Sequence, residues 1–260
     1  MLLKKNKIPK LTLVGAGPGD PDLITLKGIK AIKNADVILY DALIAEELLD
    51  FAPKQTLKIY VGKRGGTNYI AQEDIHKLIV DKAFEYGHVV RLKGGDPMVF
   101  GRGHEELDYA KAFGLETAIV PGISSAISVP EMQEIPVTKR GVSESFWVLT
   151  ATTQDGRLSK DLHLAAQSKA TVIVLMGVHK IKQIVSLYAG LNKHNLPIAV
   201  IQNGTCKNEK IAISTIENIE EVIIEQNIQS PAIIVIGDVV LEHPSVLEKI
   251  TNEQVMKNLA

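Results

Sequence analysis

The chemistry in this chain gathers in loops rich in glycine, proline and aspartate. The first, Gly15-Ala16-Gly17-Pro18-Gly19-Asp20-Pro21, directly follows the short apolar run Leu11–Val14. A second, Arg91-Leu92-Lys93-Gly94-Gly95-Asp96-Pro97, leads into Phe100-Gly101-Arg102-Gly103, and a third, Pro121-Gly122-Ile123-Ser124-Ser125-Ala126, follows Thr117–Val120. Glycine lets the backbone take positive φ and lets a ligand approach where a Cβ would stand. The first loop invites comparison with the dinucleotide fingerprint G-x-G-x-x-G. Its spacing is G-x-G-x-G instead, and Pro18 and Pro21 have no N–H to offer a pyrophosphate. Asp41, 22 residues beyond Gly19 and at a strand end, can imitate the acid that binds a ribose, so a nicotinamide oxidoreductase stays as an alternative. A P-loop is excluded, because Arg64 follows Gly62-Lys63 and Leu57 stands where the leading glycine belongs. Loops that offer carbonyls and an aspartate suit a cationic or neutral ligand better than a phosphate.

The elements that position these loops alternate between strand and helix. Strands are predicted at Leu11–Val14, Val37–Tyr40, Leu57–Val61, His88–Leu92 and Thr117–Val120. Helices are predicted at Leu23–Ala35, with Asp22 as N-cap, at Ala42–Phe51, at Gln72–Tyr86, at Glu105–Phe113 and from Ser124 onward. Residues Ile135–Ser145 break the periodicity with proline, glycine, serine and threonine, which marks a boundary. The reading is two tandem α/β domains, residues 1–138 and 139–260, with a ligand cleft between them. In the second, strands are expected at Phe146–Thr150, Thr171–Leu175, Ala199–Ile201, Ile211–Ser214 and Ala232–Ile236, separated by helices at Leu158–Ser168, Ile181–Leu191 and Glu217–Glu225. Such alternation predicts largely parallel sheets, whose carboxyl-end loops are where ligands bind.

Composition bounds the function class. The 260 residues are 45% hydrophobic and 23% charged, with a net charge of −1, which excludes global disorder and a broadly basic nucleic-acid binder. One cysteine, Cys206, makes neither a disulfide nor a cysteine-built zinc site, and the seven histidines show no tight ligand spacing, so no metal is expected. The first ten residues carry lysines and no apolar stretch of signal-peptide length. Apolar runs such as Thr171–Met176 and Pro231–Ile236 fall far short of a membrane span. The expectation is a cytoplasmic protein with no membrane or nucleic-acid partner.

From Leu11 to about Val240 the chain resembles the tetrapyrrole methylases. The motifs are Val14-Gly15-Ala16-Gly17-Pro18-Gly19-Asp20-Pro21, Tyr40-Asp41-Ala42-Leu43, Gly62-Lys63-Arg64, Val120-Pro121-Gly122-Ile123 and Ile135-Pro136-Val137-Thr138. The block from Val90 to Glu106 is the most specific. The resemblance implies S-adenosylmethionine as methyl donor, with S-adenosylhomocysteine as product, and a homodimer. It implies methylation of two ring carbons of uroporphyrinogen III, giving precorrin-2 on the way to siroheme or cobalamin. Carried over by motif, the donor site takes Pro18, Gly94, Gly95, Asp96, Val99, Ser124, Ser125, Met176, Gly204 and Ala232. Asp41 matches the family's proposed proton acceptor and Lys63 its proposed proton donor, while Arg102, Glu105 and Met176 match substrate contacts, and Arg64 joins them as a cation for the acceptor's carboxylates. Two departures bear on the acceptor pocket. Lys139 stands where the family often has histidine, and Thr150-Ala151-Thr152 where it often has Thr-Gly-His.

The implied chemistry makes sense of these residue types. Methylation of a pyrrole carbon leaves the ring cationic, and a carboxylate at a strand end, such as Asp41, can accept the proton or stabilise the charge. A many-carboxylate acceptor calls for cations, and Lys63, Arg64, Arg91, Lys93, Arg102, Lys139 and Arg140 lie in or beside the loops. Plainer roles compete: Asp41 as a helix N-cap, Glu105 and Glu106 as acids in a first helical turn, Met176 as core packing and the lysines as solvated surface charge. Three other functions stay open at this point: methylation of a later precorrin, nicotinamide-dependent oxidation, and tetrapyrrole binding without catalysis.

Overall fold

A computed structural model describes residues 8–62, 70–153 and 155–248. The chain forms two compact units that divide between Ser124 and Ser125, earlier than the expected boundary after Thr138. The reason lies in helix α4 (Ser125–Met132). Its Ala126 and Val129, with Ile135 beyond it, pack into the same core as Ile173, Ile201 and Val235 of the later strands.

The first unit is built on a sheet of strands β1 (Lys10–Gly15), β2 (Val37–Tyr40), β3 (Leu57–Tyr60), β4 (His88–Lys93) and β5 (Glu116–Val120), in the order β3-β2-β4-β1-β5. All the pairings are parallel, so every strand ends on the same edge. Alternate residues feed opposite cores. Leu11, Leu13, Val37, Leu39 and Val89 pack with helices α2 (Gln72–Tyr86) and α3 (Gly103–Ala112). Val14, Ile38, Val90 and Leu92 pack with helix α1 (Leu26–Lys33) and the 3-10 turn Glu46–Phe51. This period of two is what a strand covered on both faces requires.

Two helix predictions are corrected here. Pro21 opens a short 3-10 turn, Pro21–Leu23, capped by Asp20, whose Oδ1 accepts from Asp22 N at 2.9 Å. The α-helix itself starts only at Leu26, where Thr25 Oγ1 accepts from Gly28 N at 3.1 Å; Asp22 is therefore not the cap. The predicted helix Ala42–Phe51 is only the 3-10 turn from Glu46, so Asp41 caps no helix.

The second unit carries β6 (Phe146–Thr150), β7 (Thr171–Leu175), β8 (Pro197–Gln202), β9 (Lys210–Thr215) and β10 (Ala232–Ile236), in the order β6-β7-β10-β8-β9. Only β6 and β7 are parallel; β10 runs antiparallel to both neighbours, and β8 and β9 are antiparallel too. The largely parallel expectation fails here, because hydrophobic period reports a strand's faces and not its direction. Helices α5 (Lys160–Gln167), α6 (Ile181–Ala189) and α7 (Ile219–Glu225) bury Leu162, Ile184, Tyr188 and Ile219 against one face. Helix α4 and the turn residues Val239 and Val240 cover the other.

Candidate functional site

The carboxyl edge of the first sheet is where three glycine loops lock together. Ala16 N donates to Lys93 O at 2.8 Å, and Gly17 and Gly95 exchange backbone hydrogen bonds of 3.3 and 2.6 Å. Asp96 joins the third loop: Oδ2 accepts from Gly122 N at 3.0 Å and Oδ1 from Met98 N at 2.8 Å. A Cβ on Gly15 would stand 2.4 Å from Gly122 N, and one on Gly122 would stand 2.2 Å from Gly95 O. Glycine is thus required because backbone meets backbone, whereas the sequence alone pointed to room for a ligand. Pro18, Gly94, Gly95, Asp96, Val99 and Ser124 all lie in these loops, and Ser125 opens α4. Val99 is exposed beside them.

Asp41 follows β2 on this same edge. Its Oδ1 accepts from Leu43 N at 3.2 Å and its Oδ2 from Arg91 Nη2 at 3.4 Å. The side chain is 23% exposed, so it can meet a ligand and still feel the buried guanidinium. Lys63 and Arg64 lie outside the described residues.

Beneath Asp41 is a charged cluster inside the α2/α3 layer. Arg91 and Lys93 occupy alternate positions of β4, both buried, and face Glu106 of α3, which is 1% exposed. Glu106 Oε1 accepts from Lys93 Nζ at 3.0 Å, Gln72 Nε2 at 3.1 Å and Arg91 Nε at 3.3 Å. Arg91 Nη1 also donates to the carbonyls of Leu92 and Leu39, at 3.0 and 3.4 Å. Burial, helped by the neighbouring Arg91, holds the Lys93 amine below its ordinary value although Glu106 pulls the other way. His76, on α2 against Tyr109, is also held low by burial. These contacts turn Arg91 and Lys93 inward and correct the expectation that they serve among the cations for a many-carboxylate acceptor.

Arg102 is placed differently. It has φ +56°, uncommon for a residue with a side chain, and it precedes α3. Its Nε and Nη2 reach Glu105 Oε1 and Oε2 at 2.8 and 2.5 Å, and this pair, about half exposed on both sides, holds the Glu105 carboxyl low. Lys139 and Arg140 fall in the second unit, where Lys139 pairs with Glu242 at 2.6 Å.

In the second unit, the register gathers the remaining donor candidates. Leu175 pairs with Ile233 and Gln202 with Ala232, so Met176, Ala232 and Gly204 come together at one sheet edge. Met176 is 53% exposed with φ +54°, which removes the core-packing reading. Gly204 is buried, and a Cβ there would stand 2.3 Å from Val129 Cγ1 of α4. On this edge Thr152 Oγ1 is 3.0 Å from His179 Nε2, a pairing no motif announced. Sequence reasoning also missed the inward face of Glu106. The signal was present: two basic residues two apart on a strand covered on both faces require a buried countercharge.

The family model for tetrapyrrole (corrin/porphyrin) methylases matches residues 10–220. The chain belongs to the tetrapyrrole methylases. Among relatives of this methylase, the uroporphyrinogen-III C-methyltransferase of Methanocaldococcus jannaschii is 46% identical over 233 residues, covering 89% of this chain and 96% of that one. The uroporphyrin-III C-methyltransferase of Thermus thermophilus, crystallised with S-adenyl homocysteine, superposes with a TM-score of 0.76 at 36% identity, over 89% of this chain and 98% of that one. A cobalt precorrin-4 methyltransferase, a cobalamin biosynthetic enzyme, superposes with a TM-score of 0.81 at 25% identity, over 92% and 99%. Among the described residues no helix is long and apolar enough to cross a membrane, and no group of three metal-ligating side chains gathers. The edge fits a sulfonium donor: it carries the partly exposed Asp41 and the exposed Val99, and the loop N–H groups at Ala16, Gly17, Gly95 and Gly122 are already bonded within the protein. That occupancy removes the pyrophosphate cradle, and with it the nicotinamide reading.

Proposed function

We propose that this methylase transfers methyl groups from S-adenosylmethionine to two ring carbons of uroporphyrinogen III, yielding precorrin-2 and S-adenosylhomocysteine. The observation that carries the reading is 46% identity along 96% of a chain named for that activity. The bound donor supplies an electrophilic methyl on a sulfonium, and displacement by a pyrrole carbon leaves a ring cation that must lose a proton. Asp41, paired with Arg91 and partly exposed, accepts that proton or steadies the charge. Pro18, Gly94, Gly95, Val99, Ser124 and Ser125 seat the donor, with Met176, Gly204 and Ala232 supplying the contribution of the second unit. Asp96 acts by holding the loops, since backbone N–H groups bind both its oxygens. Arg102, Glu105 and Arg64 meet the acceptor's carboxylates, Met176 its ring, and Lys63 serves as proton donor. The working enzyme is a cytoplasmic homodimer.

The test is transfer of radiolabelled methyl groups to enzymatically generated uroporphyrinogen III. Labelled precorrin-2 is the expected product; a folded protein that leaves this acceptor unlabelled overturns the reading. A second reading, a later precorrin as acceptor, is favoured by the likeness to the cobalt precorrin-4 enzyme and by Lys139, whose amine is tied to Glu242. It predicts label only in precorrin acceptors.

A further inference from the structure

We propose that Glu106 is a positioning residue for methyl transfer: with Lys93 it balances the charge around Arg91 and so sets the orientation and proton affinity of the Asp41 carboxylate. The inference rests on the reading of Asp41 given above. Arg91 is the link. One edge of its guanidinium reaches Asp41 Oδ2, and the rest is fixed by Glu106 Oε1 and by the carbonyls of Leu39 and Leu92. A guanidinium held at three other points cannot follow a wandering carboxylate, so Asp41 must come to it.

The charge arrangement points the same way. Two cations and one carboxylate are buried together, and the second carboxylate, Asp41, sits at the surface end. With all four groups ionised the cluster is neutral only when Asp41 is counted. Glu106 Oε2 is buried and has no hydrogen-bond partner among the described residues. A carboxylate placed merely to stabilise the fold is poorly served by a buried oxygen that no described side chain or backbone group meets. Among the described residues, the charged and titratable groups facing the cluster are Arg91 and Lys93 on β4, Asp41 after β2, His76 on α2, and Arg102 and Glu105 at the start of α3. Arg102 and Glu105 neutralise one another, and His76 is held low by burial, so Arg91, with Glu106 and Lys93 behind it, dominates the field at Asp41.

The experiment is the pH profile of kcat for the wild-type enzyme and for Asp41→Asn, Glu106→Gln and Lys93→Met, with the Kd of S-adenosylhomocysteine measured for each. Wild-type turnover tests the functional reading, and loss of the acid limb in Asp41→Asn assigns that limb. Glu106→Gln leaves two cations facing Asp41. Its acid limb moves to lower pH by about half a unit or more, and plateau kcat falls about tenfold while acceptor KM and donor affinity hold within about twofold. Lys93→Met removes a cation, and its limb moves to higher pH by a similar amount. If Glu106→Gln does not fold, the Lys93→Met shift alone decides. Opposite shifts support the inference. Unshifted limbs in a turning-over enzyme overturn it, as does an acid limb that persists in Asp41→Asn.

Discussion

The two sheet edges that collect the candidate residues are built by different means. In the first unit, parallel strands bring five carboxyl ends to one edge, and buried charge lies directly beneath: Arg91, Lys93 and Glu106 sit under Asp41. In the second, antiparallel register brings Met176, Ala232 and Gly204 together above a sheet whose buried positions are almost wholly apolar. On the reading proposed above, the first edge is suited to set the protonation and orientation of a reacting group. The second offers shape, through a left-handed Met176 and a glycine that admits Val129.

Substitutions can break this contrast in a definite order. Gly122→Ala is expected to do the most, because its Cβ would meet Gly95 O at 2.2 Å and neither backbone can retreat. It should cost about 3 kcal/mol in urea unfolding and abolish measurable S-adenosylhomocysteine binding. Asp41→Asn should leave the urea midpoint nearly unchanged while kcat falls about a hundredfold. On the second edge, Gly204→Ala meets only the Val129 side chain, so a cost of about 1–2 kcal/mol is expected, recovered in part by adding Val129→Ala. Ile234→Val, fully buried in the second core, should cost about 1 kcal/mol with kcat intact.

The smallest effect distinguishes the charged layer from the apolar one by pH. The Lys93 amine is held below 10.5 in the folded state, so the unfolded chain binds that proton more readily. Between the lowered value and 10.5, wild-type stability should therefore rise with pH relative to Lys93→Met. No such difference is expected for Ile234→Val. Urea unfolding across the alkaline range measures both.

What the sequence disclosed follows from the same physics. Helix α2 was legible to the residue because fifteen residues of amphipathic pattern end at Gly87, whose φ is +112°. Strands β1 and β4 were legible because glycine closes them. The start of α1 was misplaced, since Leu23 keeps the helical spacing of Leu26, Ile29 and Ile32 and nothing in the pattern says that its own turn is 3-10. Strand direction in the second unit was hidden, because alternation is identical for parallel and antiparallel neighbours. The glycine loops were recognised as a site, but their partners were not: that Gly15 and Gly122 touch is a fact of sheet order, with β5 beside β1. Arg91 and Lys93 lie beside the loops in the sequence, as cations for an acceptor or as solvated charge, and only the packing of α3 on β4 reveals Glu106 opposite them.

The central claim is that the interlocked loops of the first edge seat a methyl donor beside Asp41. Diffraction from crystals grown with S-adenosylhomocysteine tests it most directly. The account predicts density for that molecule against Pro18 and Gly94–Asp96, with its sulfur on the Asp41 side and Met176, Gly204 and Ala232 in contact. Density at any other place on the molecule, with this edge bare, would contradict it.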